Sequence, residues 1–283
     1  LYDELLSLER ESGVVLPNSP TRRVGSAVAK FLPHEHLSRL YSLDKVRSPE
    51  ALTSWLGRIQ TLAGRDQLEL ALEYKFDGLT VNLTYEGGRL TQGATRGNGI
   101  IGEGILEQLK TIPTLPRSIP FLGRMEVQGE CIMRLSVLKA YNEASDEPLK
   151  NARNAAAGAV RNLDPKVTAS RKLDCFCYNI GFIEGKTLEN QREMLAFLQE
   201  NGFPVSDYVR YCKDADSLIA EIERVSKARN DLDFLIDGMV VKVADFSLRE
   251  RLGETEKFPR WAMAYKFPAE EATATVLDVS WEV

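Results

Sequence analysis

The sequence is poor in histidine and cysteine and has no long apolar run. Two histidines and four cysteines occur among its 283 residues. No stretch of about eighteen apolar residues is present, and no basic segment followed by an apolar one opens the chain, so neither a membrane-spanning helix nor a secretory signal is predicted. The net charge of −5 argues against a wholly basic nucleic-acid clamp. With 43% hydrophobic residues the chain can bury a substantial core. We therefore expect a soluble globular protein whose default compartment is the cytoplasm.

The few cysteines and histidines do not have the spacing of a metal-binding motif. No C-x-x-C pair occurs among the four cysteines, Cys131, Cys175, Cys177 and Cys212. Cys175 and Cys177 fall on one side of an apparent strand, and we interpret the cysteines as reduced core residues. This pattern predicts no structural zinc in the chain. His34 and His36 follow a proline, and we expect them to be exposed to solvent and assign them no chemistry.

Residues 75–78, Lys-Phe-Asp-Gly, lie between two strand-like runs, 69–74 and 79–85. Lys75 therefore stands at a strand end, where its amine could act as a nucleophile. A lysine amine has a reference pKa of about 10.4, so a pocket must favour its neutral form or remove its proton. A turn at 86–89 predicts that the second run forms a hairpin that ends beside Arg96. Taken alone, this motif is more often a surface lysine near an acidic turn.

The periodicity of the whole chain mixes helices and strands without strict alternation. Helices are predicted at 1–11, 48–62, 134–144, 149–163, 187–201 and 215–229. Further strands are predicted at 125–132, 173–180, 234–244 and 261–267. This order favours an α+β domain with largely antiparallel sheets flanked by helices and a short N-terminal helical segment. The strand residues Lys75, Glu130, Lys242 and Lys266 could then converge on one groove.

Further motifs follow in a fixed order along the chain. They lie at 20–25, 42–44, 124–130, 151–158, 236–242 and 260–268. Together with 75–78 they resemble the adenylation domain of bacterial NAD-dependent DNA ligase. The K-x-D-G motif is shared with ATP-dependent ligases and mRNA-capping enzymes, whereas Arg-Asn-Ala-Ala-Ala-Gly at 153–158 and the motif at 260–268 are specific to the NAD-dependent branch. The resemblance implies a nucleotidyltransferase (ATP-grasp-like) fold.

The resemblance also implies a domain division. Residues 1–25 would be a remnant of the N-terminal subdomain that binds nicotinamide mononucleotide (NMN), 26–272 the adenylation domain, and 273–283 the start of a truncated OB-fold. Of the segment that grips NMN, Tyr2 and Asp3 remain, so we expect impaired NAD recognition. The family's zinc finger would lie beyond Val283, together with its helix-hairpin-helix and BRCT modules.

The implied activity begins with attack of Lys75 on the α-phosphorus of NAD. NMN would leave, and AMP would then pass to the 5′-phosphate of a DNA nick before sealing, in DNA replication and repair. Lys266 and Lys242, with Mg²⁺, would stabilise charge near the phosphate and base. Asp77 would orient Lys75 or accept its proton through water, and Asp237 would help to hold the metal.

Other positions match the family's nucleotide pocket. Glu130 would meet the ribose hydroxyl and lie near the metal, Tyr178 would stack on adenine, and Glu73 would accept a hydrogen bond from its amino group. Ser42 and Leu43 would lie nearby. Taken singly, each of these is an ordinary strand residue, so only the joint order of motifs favours the pocket.

Three arginines match positions that engage phosphate. Arg96 would contact the cofactor, and Arg153 and Arg161 would contact nicked DNA. We expect a monomer, as in the resembled enzyme. The alternatives are an ATP-dependent ligase or capping-type nucleotidyltransferase, which would recognise a triphosphate, and a non-catalytic nucleotide-binding module.

Overall fold

The computed structural model describes residues 2–14, 19 and 30–268. Its helices are α1 (Tyr2–Ser12), α2 (Pro49–Ala63), α3 (Leu106–Leu109), α4 (Leu135–Ala144), α5 (Ala152–Val160), α6 (Pro165–Ser170), α7 (Gln191–Glu200), α8 (Ala215–Ala228) and α9 (Phe246–Leu252). Its strands are β1 (Pro33–Glu35), β2 (Lys45–Val46), β3 (Leu70–Phe76), β4 (Leu79–Glu86), β5 (Arg89–Thr95), β6 (Ile101–Glu103), β7 (Met125–Ile132), β8 (Asp174–Ile183), β9 (Val209–Cys212), β10 (Ile236–Val243) and β11 (Ala262–Lys266).

Two sheets carry the fold. One has the strand order β2-β11-β10-β3-β9 and the other the order β5-β4-β7-β8, while β1 and β6 form a small separate ladder. Every neighbouring pair is antiparallel except β11 with β2. The prediction of an α+β fold with largely antiparallel sheets and flanking helices is therefore confirmed.

Each sheet has its own hydrophobic core on one face. Met239 and Val241 of β10 pack with helices α2 and α8 behind the five-stranded sheet, and Val81 and Leu83 of β4 pack with α5 and α7 behind the other. Because side chains alternate across a strand, the intervening residues of β10 and β4 face away from these cores. That alternation gives the two sheets the faces on which the cleft described below is built.

Gly78 allows the chain to pass from one sheet to the other. It lies between β3 and β4, and a Cβ atom added to it would be 2.1 Å from the carbonyl oxygen of Cys131 in β7. No side chain fits at such a distance. The glycine of the K-x-D-G motif is therefore required by the close approach of two backbones. Lys75 lies three residues before it, where the chain leaves the five-stranded sheet for the four-stranded one.

Local signals at the helix ends are confirmed. The Ser48 side chain accepts a hydrogen bond from the backbone of Ala51, and Gly64 ends α2 in the left-handed conformation at φ 61°. The helix predicted at 149–163 is shorter. Asn151 is its N-cap, and its side chain accepts a hydrogen bond from the backbone N–H of Asn154, so α5 begins at Ala152 and ends at Val160. None of the helices in the described part of the chain is long and apolar enough to cross a bilayer.

The two histidines were wrongly predicted to face solvent. His36 is buried and His34 is partly buried beneath β1, where residues of β4 and β7 cover them. Burial, the largest influence, lowers the pKa of His34. The four cysteines are buried and free, as predicted. The motif at 20–25 and the segment 273–283 lie outside the described residues.

Candidate active site

A cleft of about 740 Å³ lies between the two sheets. Its lining contains every residue predicted to bind the cofactor whose side chain is described: Ser42, Leu43, Glu73, Lys75, Arg96, Glu130, Tyr178, Lys242 and Lys266. Tyr2 and Asp3 lie in α1, but their side chains are outside the described residues. The structure thus brings together side chains from five strands, from the segment before β2 and from the turn after β5.

Lys75 and Lys266 are set side by side by the register of three strands. Gly238 of β10 is the partner of Lys75 on β3 and of Lys266 on β11. Directly opposite residues share one face of a sheet, so both lysines extend from the same face. A Cβ atom on Gly238 would be 2.1 Å from the carbonyl oxygen of Tyr265, so this central position accepts only glycine.

Asp237 joins the two lysines. Its Oδ1 atom lies 3.1 Å from Nζ of Lys75, and its Oδ2 atom accepts a hydrogen bond from Nζ of Lys266 at 2.5 Å. Burial is the largest single influence and raises the pKa of Asp237. The hydrogen bond from Lys266 and the charge of Lys75 together outweigh it, and the pKa lies below its usual value. Asp237 is therefore an anion at neutral pH, between two cations.

A second buried ion pair lies deeper in the cleft. Lys242 donates to Oε2 of Glu73 at 2.6 Å, and the two side chains are only 8% and 7% exposed. Burial lowers the pKa of Lys242, while the charge of Glu73 acts against this shift. Nζ of Lys242 also lies 5.3 Å from the ring centre of Tyr178. The arrangement offers a fixed carboxylate, an ammonium group and an aromatic ring within one small volume.

Two residues support Glu73 from behind. Gln191 donates to Oε1 of Glu73 at 2.5 Å, and Arg249 donates to Oε1 of Gln191 at 2.7 Å. Gln191 is fully buried, and the Arg249 guanidinium lies 4.3 Å from the ring centre of Trp261. Both oxygens of Glu73 are thus held by donors, and its orientation is determined by packing on α7 and α9.

Glu130 lies across the cleft on β7. It accepts a hydrogen bond from Thr80, its directly opposite partner on β4, at 3.0 Å. Burial raises the pKa of Glu130 to about 7, although Thr80 and the charge of Lys75 act against this shift. This side chain is therefore partly protonated at neutral pH and can both donate and accept a hydrogen bond. Burial also raises the pKa of Tyr178 well above its usual value.

At the mouth of the cleft, Arg96 donates to Oγ of Ser42 at 2.6 Å. Asp77 and the predicted DNA-binding arginines do not line the cleft. Asp77 accepts from Arg153 at 2.7 Å, and the carboxylate in direct contact with Lys75 is that of Asp237. The reason is that β3 ends at Phe76, and the turn directs Asp77 towards α5. Arg161 is 57% exposed and lies 3.8 Å from Glu103.

Comparison with known proteins identifies the family. The family model described as the NAD-dependent DNA ligase adenylation domain matches residues 28–270. The chain belongs to this family. The adenylation domain therefore accounts for most of the sequence, including both sheets and the cleft between them.

Curated relatives of this adenylation domain are DNA ligases. The DNA ligase of Alkaliphilus oremlandii is 57% identical over 286 residues, which cover 100% of this chain and 43% of the relative. That of Alkaliphilus metalliredigens is 53% identical with the same coverage, and that of Finegoldia magna is 48% identical and covered to 44%. The chain thus spans less than half the length of these relatives.

Solved structures are similar at a much lower level. The ATP-dependent DNA ligase from bacteriophage T7 in complex with ATP is 13% identical, with a TM-score of 0.40, over 74% of this chain and 65% of that one. An archaeal ATP-dependent RNA ligase is 12% identical, with a TM-score of 0.43, over 82% of this chain and 49% of that one. The family assignment does not depend on these matches.

Sequence reasoning missed three residues that line the adenylation domain's cleft or support it from behind. Thr80 belongs to the polar face of β4, and period-2 alternation alone would have placed it opposite the core. Gln191 and Arg249 carried no such signal, since each is a polar residue of a short helix. Gln191 is buried where the start of α7 reaches Glu73 of β3, and Arg249 where α9 returns to β10 and the guanidinium donates to the carbonyl oxygen of Val243.

Proposed function

We propose that this chain is the nucleotidyltransferase core of an NAD-dependent DNA ligase and that Lys75 becomes covalently adenylated. The Nζ lone pair attacks the α-phosphorus of NAD, a nitrogen–phosphorus bond forms, and the bond from that phosphorus to the bridging oxygen breaks. NMN leaves with the electron pair of that bond. The observation that carries the proposal is that Lys75 and Lys266, which both line the cleft, contact one carboxylate, that of Asp237.

Asp237 and Lys266 have separate tasks in this step. Nζ of Lys75 must lose a proton before it can attack, and Asp237 is the carboxylate in contact with it, so we assign Asp237 to orient the amine and to pass that proton to solvent. Lys266 keeps a positive charge beside the reacting atoms when Lys75 is neutral. A fixed cation near the phosphoryl oxygens stabilises the charge that develops during transfer.

The deeper part of the cleft suits the adenosine half of the substrate. Glu73 presents a carboxylate held by Lys242 and Gln191, which is an acceptor for the amino group of adenine. Tyr178 offers a face for stacking. Glu130, which can donate and accept, suits a ribose hydroxyl. Arg96, with Ser42 and Leu43 beside it, closes the phosphate end.

Mg²⁺ is proposed as the metal of the reaction. Both oxygens of Asp237 already contact ammonium groups, and among the described residues neither Asp237 nor Glu130 belongs to a group of three metal-ligating side chains, so they do not form a ready cage. This donor set suits an ion that binds through one or two carboxylates together with substrate phosphates and its own waters. Asp237 and Glu130 would hold it, and it would neutralise phosphate charge.

The later steps concern the whole protein. AMP would pass from Lys75 to the 5′-phosphate of nicked double-stranded DNA, and the exposed guanidinium groups of Arg153 and Arg161 are candidates for contacting that DNA. A protein that works on chromosomal DNA belongs in the bacterial cytoplasm, and we propose a monomer. Residues 1–25 would belong to the N-terminal subdomain that binds NMN, residues 26–272 to the adenylation domain and residues 273–283 to the start of an OB-fold.

Intact-mass spectrometry tests the first step. Because NAD recognition is expected to be impaired, prolonged incubation with NAD and Mg²⁺ is expected to add one AMP slowly to the wild-type chain and to Lys139→Ala, a variant of an exposed lysine, but not to Lys75→Ala. Parallel incubations with ATP and GTP separate the triphosphate-dependent alternatives. An adduct on Lys75→Ala, or one formed from ATP in place of NAD, would overturn the proposal. Binding of AMP without any adduct would favour the non-catalytic module.

A further inference from the structure

A second cluster of metal-ligating side chains lies outside the cleft, beneath β1. His34 is in β1, His36 is the first residue after β1, and Glu126 is in β7. Residues two apart on an extended backbone share one face, so both imidazoles lie on the same side, with ring centres 5.9 Å apart. One ligand atom from each of the three residues lies within 4.8 Å of the others. Among the described residues this is the one such group of three.

The hydrogen bonds of His36 determine which of its nitrogens carries the proton. Nε2 lies 3.2 Å from the carbonyl oxygen of Arg96, which can only accept, so Nε2 is the protonated nitrogen. The lone pair is then on Nδ1, which accepts a hydrogen bond from Nδ2 of Asn82 on β4 at 3.0 Å, a bond that a metal ion would replace. A metal-ligating imidazole is usually oriented in this way, with its other N–H donated to a backbone carbonyl.

Several buried polar atoms at this place lack a partner. Nε2 of His34 and Oδ1 of Asn82 are buried and have no hydrogen-bond partner among the described residues. The Asn82 side chain is almost fully buried. An unpaired buried polar atom is costly, and native proteins rarely retain one without a reason. Two at one place, beside two imidazoles and a buried carboxylate, indicate a cluster built around a cation.

Glu126 supplies the negative charge. Its side chain is 0% exposed, and Oε2 accepts hydrogen bonds from the backbone N–H groups of Leu37 at 3.0 Å and Ser38 at 3.3 Å. Oε1 lies 3.9 Å from Nε2 of His34, too far for a hydrogen bond but suitable for two ligands that share one ion. The carboxylate is therefore oriented by the backbone towards the histidines.

We propose that His34, His36 and Glu126 bind a divalent transition-metal ion of the zinc type. Two imidazole nitrogens and one carboxylate oxygen suit Zn²⁺ and similar ions, whereas Mg²⁺ and Ca²⁺ prefer oxygen ligands alone. The ion would fasten β1 and the segment after it to β7. That segment leads to Ser42 at the mouth of the cleft, and Arg96 contacts both His36 and Ser42. This site is separate from the proposed adenylation chemistry and does not depend on it.

Titration of the metal-stripped chain with Zn²⁺, and with Co²⁺ as its spectroscopic substitute, tests the site. The wild-type chain is expected to bind one equivalent and to melt at a higher temperature with Zn²⁺. His34→Gln is expected to bind at least about 10- to 100-fold more weakly, since even an outer-shell change has that effect. Glu35→Gln is the matched control, because Glu35 is exposed and lies between the two histidines. It is expected to bind as the wild type does.

Absence of stoichiometric binding by the wild-type chain would overturn the proposal, as would undiminished binding by His34→Gln. X-ray absorption spectroscopy of the wild-type zinc complex identifies the ligand atoms without the need for a variant. Nitrogen and oxygen ligands are expected. Sulfur ligands would assign the ion to the cysteines and would overturn the proposal, whether or not His34→Gln folds.

Discussion

The ammonium groups of Lys75 and Lys266 bind opposite oxygens of the same carboxylate, that of Asp237. The two lysines are far apart in sequence and become neighbours because Gly238 lies between them in the sheet. One lysine is the proposed nucleophile and the other a fixed cation. The chemistry therefore depends on strand register as much as on residue type.

Replacing Asp237 by asparagine is expected to slow formation of the AMP adduct by about 100-fold or more, the usual effect of losing a positioned acid–base or electrostatic group. The reason is that two ammonium groups lose the anion that separates and orients them. Time-resolved intact-mass spectrometry measures the rate. Asp66→Asn, at an exposed position, is the control. A wild-type rate in Asp237→Asn would contradict the role assigned to this carboxylate.

Glu130 predicts a pH dependence of stability. Its folded-state pKa of about 7 lies above the ordinary value of 4.5, so its contribution to stability is fully present below pH 4.5 and is lost as the pH rises through 7. Glu130→Gln removes this dependence. Between low pH and pH 8, the free energy of unfolding of the variant relative to that of the wild type should rise by at most about 3 kcal/mol.

Urea denaturation at pH 5 and pH 8 measures this difference, with Glu200→Gln, at an exposed helix position, as the control. If the wild type and Glu130→Gln respond equally to pH, the burial of this carboxylate does not raise its pKa.

A double-mutant cycle on the buried pair of Glu73 and Lys242 should give a large coupling energy in the free energy of unfolding. Lys242→Met leaves the Glu73 carboxylate buried without its cation, which is expected to lower the free energy of unfolding by about 3–5 kcal/mol. Adding Glu73→Gln to this variant should recover part of the loss. Chemical denaturation of the two single variants and the double variant forms the cycle.

The exposed pair of Glu69 and Arg192 provides a matched cycle. These side chains are 38% and 55% exposed and 2.9 Å apart, and an exposed pair of this kind contributes at most about 1 kcal/mol. Equal coupling energies in the two cycles would show that burial does not strengthen the pair in the cleft.

Two glycines should respond in opposite ways to alanine. Gly78→Ala forces β4 away from β7 and is expected to destabilise the fold by about 1–3 kcal/mol. Gly158 lies inside α5 with nothing within 4 Å of an added Cβ, so Gly158→Ala is expected to stabilise by about 0.5–1 kcal/mol. Thermal and urea unfolding measure both. A stable Gly78→Ala variant would refute the close backbone contact at the crossing between the sheets.

Parts of this site were predictable from local pattern. Alternation identified β4 and the face on which Thr80 lies, and Ser48 with Gly64 marked both ends of α2. The position of Asp77 was not predictable in the same way. Its neighbour depends on the direction of a turn and on where α5 packs, and the structure pairs it with Arg153.

The buried histidines illustrate the same limit. Apolar residues such as Phe31 and Leu37 lie near His34 and His36 in the sequence, but the burial of the two histidines results from β4 and β7, which are distant in the chain and cover them. The hydrogen bond from Gln191 to Glu73 likewise joins α7 to β3. Such contacts have no signature in a window of neighbouring residues.

By itself, the sequence determined the longer strands, the capping residues of α2, the glycine turn beside Lys75 and the order of motifs, because these depend on backbone preferences and on neighbouring side chains. The tertiary structure alone decided that β3 pairs with β10 and not with β4, that Asp237 contacts Lys75, and that His34 and His36 meet Glu126. Strand pairing and burial join residues far apart in the chain, and the free energy that selects one pairing comes from the whole core.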